Sequence, residues 1–381
     1  MKPRQLKVEE FADVHSGGTP STSNDAYWDG GIPWITPKDL SGYESRYIAS
    51  GERDISDEGL RNSSAVLLPE ETVLLTTRAP IGYVAIAASP LATNQGFKNL
   101  VCKREVALPG YVYYLLKRNT ELLESYATGA TFKELSGARL KAISFQLPSV
   151  DIQKRIETLV ATYDNLIDNN RKRIALLEEA ARQIYREWFI RLRFPGHEHT
   201  RIVNGVPAGW GSKKVGDLLA KIESKKKIPK EEYLSEGPIP CVDQSTDFIG
   251  GYTDDVDAIY LSPLPMIVFG DHTRVLKYVN FEFARGADGT QLIYPNTDRI
   301  SIEYLYFALK EIDLSSYFYA RHFKFLKEKE VLMPEASLVR EYSRIAEPIF
   351  AQIQMLRSQS IRLRIARDLL LPRLMSGEIE V

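Results

Sequence analysis

The stretch "LPSVDIQKRI" spans Leu147–Ile156, and "MPEASLVREY" spans Met333–Tyr342, 186 residues further on. In both, a large apolar residue precedes a proline, and a long helical pattern follows. In the first, apolar or register positions fall at Ile152, Ile156, Leu159, Tyr163, Ile167, Asn170, Ile174, Leu177, Ala181, Ile184 and Trp188. The same spacing recurs at Leu338, Tyr342, Ile345, Ile349, Ile353, Leu356, Ser360, Leu363, Arg367, Leu370 and Leu374. Steps of three and four mark one face of a long helix, so the chain states that helix twice.

Upstream of each helix the repetition continues. "YVYYLLK" (Tyr111–Lys117) echoes "YLYFALK" (Tyr304–Lys310), and "GGIPWITPKDL" (Gly30–Leu40) sits beside "EGPIPCVDQSTD" (Glu236–Asp247). Short β-branched runs at Val73–Thr77 and Tyr83–Ala88 flank "RAPIG", whose proline and glycine signal a turn, and Asn99–Cys102 is a third candidate strand. Met266–Phe269 and Val275–Val279 flank "GDHTR" in the same way. The expected fold is α+β: two similar mixed domains, residues 1–147 and 196–333, each followed by a long helix, residues 148–195 and 334–381.

Forty helical residues would reach about 60 Å, and an amphipathic helix of that length must bury its stripe. The obvious partner is the other copy, giving a coiled coil. The position list does not fix its direction, but a chain that returns after a globular domain permits an antiparallel pair without a long crossover. Pro348 is placed to bend the second helix and Pro372 to end or kink it. Asn170 fits either a register-fixing core position or an exposed face. Leu166, Leu176, Tyr185 and Phe189 lie off the main stripe, which predicts a further helix packed alongside.

The chain has 381 residues, 44% of them hydrophobic, enough for ordinary globular cores. No run of about 18 apolar residues exists, and Met1–Lys7 lacks the apolar block of a signal peptide. Cys102 and Cys241 are isolated, which excludes a disulfide framework and a Cys-pair zinc site, so a cytoplasmic protein is expected. Forty-nine Lys and Arg against 50 Asp and Glu give a net charge of −1, so any nucleic-acid interface must be a local patch. The densest basic run is Lys213–Lys230, equally readable as a solvated face.

Together "SGGTPSTSNDAYWDGGIPWITPKDL" (Ser16–Leu40), "LLTTRAPIGYVAI" (Leu74–Ile86), "ATNQGFKNL" (Ala92–Leu100), "QLPSVDIQKRI" and "LLLPRLMSGEI" resemble the DNA-specificity subunit of type I restriction-modification systems over nearly the full length. The resemblance implies two target-recognition domains, each reading half of a split double-stranded DNA sequence. It also implies helical regions that space the domains and dock two methylation subunits, with Leu166, Leu176, Tyr185 and Phe189 as the partner-facing residues; whether a restriction subunit joins is left open. S-adenosylmethionine, ATP and magnesium would belong to those partners, with no cofactor on this chain. Removing whole heptads from the helices should then change the gap between half-sites and leave each half unchanged.

Arg and Lys suit guanine, and Asn and Gln suit adenine. The candidate DNA-binding residues of the first domain are Ser16, Gly17, Gly18, Thr19 and Ser21, then Thr36, Lys38 and Asp39, then Arg78, and finally Thr93, Asn94, Gln95 and Lys98. Those of the second are Lys225, Lys226, Lys227, Gln244, Ser245, His272, Thr273, Arg274, Thr290, Gln291, Arg321 and His322. The basic residues could equally hold phosphates, and the "ATNQGF" and "TRAPIG" segments could equally be structural turns. Trp34 reads as core. His197 and His199 lack a third ligand nearby and read as a solvated hinge rather than a zinc site.

Catalytic motifs are missing. There is no Pro-Pro pair for an adenine methyltransferase loop and no P-loop, so no catalytic or metal-binding residue is assigned. Two other readings compete with a DNA-specificity subunit: a restriction or methylation enzyme with an unrecognised site, and a coiled-coil scaffold that binds proteins.

Overall fold

The computed structural model describes every residue except 1–2, 79, 130–132 and 318–320. Met1 and Lys2 of the N-terminal stretch and Ala79 of the "RAPIG" turn therefore lie outside the described residues. The chain is mixed helix and sheet and divides into two compact units. Residues 1–170 with 359–381 form the first, and residues 171–358 form the second.

Each proline at the start of a long helix sits between two structures. Leu147 closes the strand Ser144–Leu147, paired antiparallel with Arg4–Lys7, and Met333 closes Glu330–Met333, paired with Gly211–Lys214. Proline cannot donate to a ladder and its φ suits a first helical turn, so the strand stops and a helix begins. Those helices are Val150–Tyr185, continued by a π-helical turn at Arg186–Ile190, and Ala336–Ser376. The second helix continues through both Pro348 and Pro372 to Ser376, so Pro372 does not end it.

The two units repeat one set of ladders. In the first, Val73–Thr76 lies between Phe97–Cys102 and Val84–Ala87; in the second, Met266–Gly270 lies between Thr290–Ile293 and Leu276–Val279. The strand Trp28–Ile35 pairs in parallel with Ala92–Thr93, and Ile239–Val242 pairs in parallel with Phe283–Arg285. The echoed "YVYYLLK" and "YLYFALK" segments form the buried helices Pro109–Arg118 and Ile302–Lys310, each packed into the main apolar core of its unit.

Helical segments also pack within each unit. In the first, Arg367 Nη1 lies 2.6 Å from Asp164, buried Asn170 donates to Gln359 and Ser360 at 3.3 Å, and Arg155 reaches the Val381 carbonyl at 3.1 Å. Residue numbers rise along one segment as they fall along the other, so these segments run in opposite directions. In the second, Tyr342 donates to the Ala181 carbonyl at 3.2 Å and its ring meets Tyr185, Trp188 and Phe189. Asn170 therefore occupies an internal position.

Two stripe positions depart from the sequence expectation, and they depart together. Leu159 and Ile345 are 37% and 39% exposed, whereas their neighbours Val160 and Ala346 are 0% and 1% exposed. Two successive four-residue steps outrun a 3.6-residue turn, so the buried face drifts by one residue at the same place in both copies.

Candidate nucleic-acid interface

The candidate residues of the first unit lie on loops tied together by main-chain bonds. Gly18 N donates to Thr93 O at 2.9 Å, Asn94 N to Ile35 O at 2.9 Å, and Thr77 N to Gly96 O at 2.8 Å. These bonds join the loops that begin at Ser16, Ile35, Thr77 and Thr93. Leu135 N donates to Thr77 O at 2.9 Å and adds a fifth segment. Gly17 and Gly18 are required by close approach: a Cβ on Gly17 would collide with Asn94 O, and one on Gly18 with the backbone of Ser64 and Ala65. The indole N–H groups of Trp34 and Trp28 hold the same loop, donating to Gly18 O at 2.9 Å and Ser21 O at 3.2 Å. Trp34 is thus buried core with one polar duty.

Exposure separates candidate readers from supports. Ser16, Ser21, Lys38, Arg78 and Gln95 are exposed, and Thr19, Thr36, Asp39 and Asn94 are half-buried. Asp39 accepts from the amide and hydroxyl of Thr36 at 2.7 and 2.6 Å and from Glu52 N at 2.8 Å, so both of its oxygens are engaged within the chain. Asn94 Oδ1 accepts from Gly96 N at 2.9 Å, which makes it a turn former, and the Thr19 hydroxyl contacts Gln95 Oε1. Thr93 is buried and accepts from Asn99 at 2.8 Å. Lys98 is buried too, and burial lowers its ammonium pKa against the pull of Glu134.

The basic residues have acidic companions that sequence reasoning missed. Lys38 pairs with Glu52 at 2.6 Å and Arg78 with Glu134 at 3.1 Å. Glu52 follows Lys38 by 14 residues and Glu134 lies on a different segment from Arg78, so it is the fold that brings each pair together.

In the second unit the same bonds recur: Gly286 N to Val242 O at 2.9 Å, Asp271 N to Gly289 O at 2.6 Å and His322 N to Asp271 O at 2.9 Å. They bring together the loops starting at Asp243, Asp271 and Gly286 with the start of the helix His322–Glu328. Ile228, paired with Gly286, adds Lys225–Lys227. Lys226 pairs with Asp255 at 2.6 Å, Lys227 is exposed, and Lys225 N donates to the Tyr260 hydroxyl at 3.0 Å. Thr273 and Arg274 are exposed but bonded internally, to Gln244 O at 2.6 Å and to Leu314 O at 3.3 Å.

Three second-unit candidates are placed as supports. Thr290 is buried, and its carbonyl accepts from the Arg285 guanidinium. Gln291 Oε1 takes a further bond from Arg285 at 3.4 Å. His322 is buried with its two ring nitrogens 2.8 Å from the carbonyls of Asp271 and Tyr317. His272 and Arg321 remain exposed. Ser245 donates its amide and hydroxyl to Asp243 Oδ1, at 2.9 and 2.5 Å. Beneath them Lys277 Nζ lies 3.6 Å from Asp243, both groups buried, an ion pair with no sequence signal because Lys277, on the strand Leu276–Val279, is 34 residues from Asp243, just past the strand Ile239–Val242.

A family model of the type I restriction modification DNA specificity domain matches residues 4–179. The MjaIX specificity subunit of a type I restriction enzyme in Methanocaldococcus jannaschii is 35% identical over 98% of this chain and 93% of that protein. This chain belongs to the type I DNA-specificity subunit family. An Escherichia coli relative, the EcoR124I/EcoR124II specificity subunit, is 26% identical over 42% of this chain and 40% of its own. The crystal structure of the type I S subunit from M. genitalium shares the fold, with a TM-score of 0.59 at 17% identity, covering 98% of this chain and 99% of that one.

Of the four residues expected to face a partner on this specificity subunit, two do not. Tyr185 and Phe189 are buried in the second unit's own aromatic core, packed on Tyr304 and Tyr342. The helix widens into a π turn at Arg186–Ile190, and the extra residue in that turn brings Phe189 onto the buried face beside Tyr185. Leu176 is 71% exposed and Leu166 is also exposed. His197 sits in a short turn with Nδ1 2.9 Å from Phe194 O. Among the described residues no group of three or more His, Cys, Asp and Glu is placed to hold a metal ion, and no helix is long and apolar enough to cross a membrane.

Proposed function

We propose that this specificity subunit, itself non-catalytic, recognises a bipartite double-stranded DNA target, one half with each loop cluster, inside a type I restriction-modification complex. The observation that carries the reading is the duplicated ladder: two loop clusters rise from the same strand ends but present different side chains. Exposed Arg78, Lys38 and Gln95 in one cluster, and His272, Arg321 and Lys227 in the other, are the groups that would meet bases or phosphates, Arg78 and Lys38 by exchanging their acidic partners for DNA. The four-part division at 1–147, 148–195, 196–333 and 334–381 is kept, with the two long helices pairing as an antiparallel coiled coil. The opposed helical contacts inside the first unit, and the packing of Tyr342 on Ala181 and Tyr185 in the second, support that pairing.

Two methylation subunits are proposed to dock on the helices at Leu166 and Leu176, with a restriction subunit as a further partner. S-adenosylmethionine, ATP and magnesium would be bound by those partners, and the complex would work in the cytoplasm. The test is to assemble the chain with its methylation subunits and sequence the modified DNA. A two-part motif, abolished in one half by changes to one loop cluster, is expected. A continuous motif, or modification by this chain alone, would overturn the reading. Deleting seven residues from each long helix should shift the gap between the halves.

A further inference from the structure

We infer that Gln244, a residue type suited to reading adenine, is instead a positioning residue that locks three loops of the second unit into one shape. The inference rests on the DNA-specificity reading and specifies how the second half-site is set. Gln244 leaves the buried strand Ile239–Val242, and its side-chain amide is used at both ends. Nε2 donates to Asp288 O at 3.0 Å, and Oε1 accepts from His272 N at 3.1 Å. Its own carbonyl accepts from the Thr273 hydroxyl at 2.6 Å. A main-chain carbonyl on one side and a main-chain N–H on the other admit one orientation of the amide. Bidentate adenine recognition needs an N–H and the C=O of this amide presented together toward a base, and turning the amide outward to do so would pull it away from Asp288 O and His272 N.

The packing is equally committed. Gly289 has φ +67, and a Cβ there would lie 2.6 Å from Gln244 Nε2 and 2.7 Å from its Oε1. A Cβ on Gly270 would meet Gln244 Cβ at 2.9 Å. The ladders place Pro37 at the equivalent point of the first unit and Gly96 opposite it, where a Cβ would meet Pro37 Cγ at 3.0 Å. One copy fills this gap with a rigid ring and the other with an amide that bonds both neighbouring turns. Those turns carry exposed His272, Thr273 and Asp288, so their spacing decides which base edges the second unit can meet.

The experiment uses the chain assembled with its methylation subunits, with Gln244→Ala and Gln244→Glu compared with wild type. Amide hydrogen exchange at His272 reads the tie without DNA, and urea unfolding checks that each variant folds. Gln244→Ala should exchange about tenfold faster at His272, whereas Gln244→Glu, whose carboxylate still accepts, should keep that amide protected. Binding is then measured on duplexes carrying each single base change in the second half of the modified motif. Discrimination should fall at several second-half positions together in Gln244→Ala, with the first half unaltered. Unchanged exchange at His272, or discrimination lost at one base pair alone, would overturn the inference. Faster exchange in an assembly whose wild type lacks sequence-selective binding would defeat the DNA-specificity reading and leave the tie standing.

Discussion

The two loop clusters rise from matching ladders, yet their shapes are held by different chemistry. In the first unit the supports are neutral or half-exposed: the indoles of Trp28 and Trp34, the Asp39 turn and Pro37 against Gly96. In the second they are buried and charged: Lys277 against Asp243, with Tyr233 adding a bond to Asp243 at 3.3 Å. The register pairs Lys277 with Val268 just as it pairs Ala85 with Leu74, so an ammonium stands where the first unit has a methyl group. A ladder decides where loops emerge, because its backbone bonds are indifferent to side chains. What fixes the loop beyond is free to change, which lets a duplicated fold acquire two specificities.

Substitutions can break that comparison, and the largest effect is expected at the buried pair. Lys277→Met leaves Asp243 uncompensated and should cost roughly 3 to 5 kcal/mol in urea unfolding. Adding Asp243→Thr, which installs the first unit's Thr36 chemistry, should recover part of that loss; a double variant no better than the single would show that the two groups are uncoupled. The shared helix drift comes next. Val160→Asn and Ala346→Asn each bury an amide and should cost about 1 to 3 kcal/mol, whereas Leu159→Asn and Ile345→Asn should stay within about 0.5 kcal/mol. Equal costs at neighbouring positions would deny the drift.

Smaller effects sharpen the contrast. Trp34→Phe removes the indole donor to Gly18 O and should cost about 1 kcal/mol, with weakened discrimination confined to the first half-site. The smallest concerns acid. Burial works to raise the Asp243 carboxyl, but Ser245, Lys277 and Tyr233 together hold it below the usual carboxylate value. A depressed folded pKa contributes stability above the unfolded value of about 3.9, lost as pH falls through the folded one. The second unit should therefore soften below about pH 4, measured by urea midpoints, and Asp243→Asn should flatten that dependence.

Much of the architecture was legible because it repeats. The strands around "RAPIG" and "GDHTR", the helices at Tyr111 and Tyr304 and the two long helices follow from spacing alone, and the "GGIPWI" echo corresponds to a strand with the same parallel partner in each unit. The candidate loops were legible as polar turns, and they do converge. Their roles were not. Gln244, Asp39, Thr93 and His322 carry chemistry suited to DNA and use it on their own chain, which only a three-dimensional count of hydrogen-bond partners reveals.

Sequence by itself determined the duplication, the family and the periodic elements, because periodicity and local turn chemistry act over a few residues and leave their mark in order along the chain. Tertiary structure alone decided which polar side chains face outward, which apolar residues such as Tyr185 and Phe189 turn inward, and which distant charges pair. Those outcomes depend on burial, and burial is set by strands and helices dozens of residues apart that no local pattern brings together.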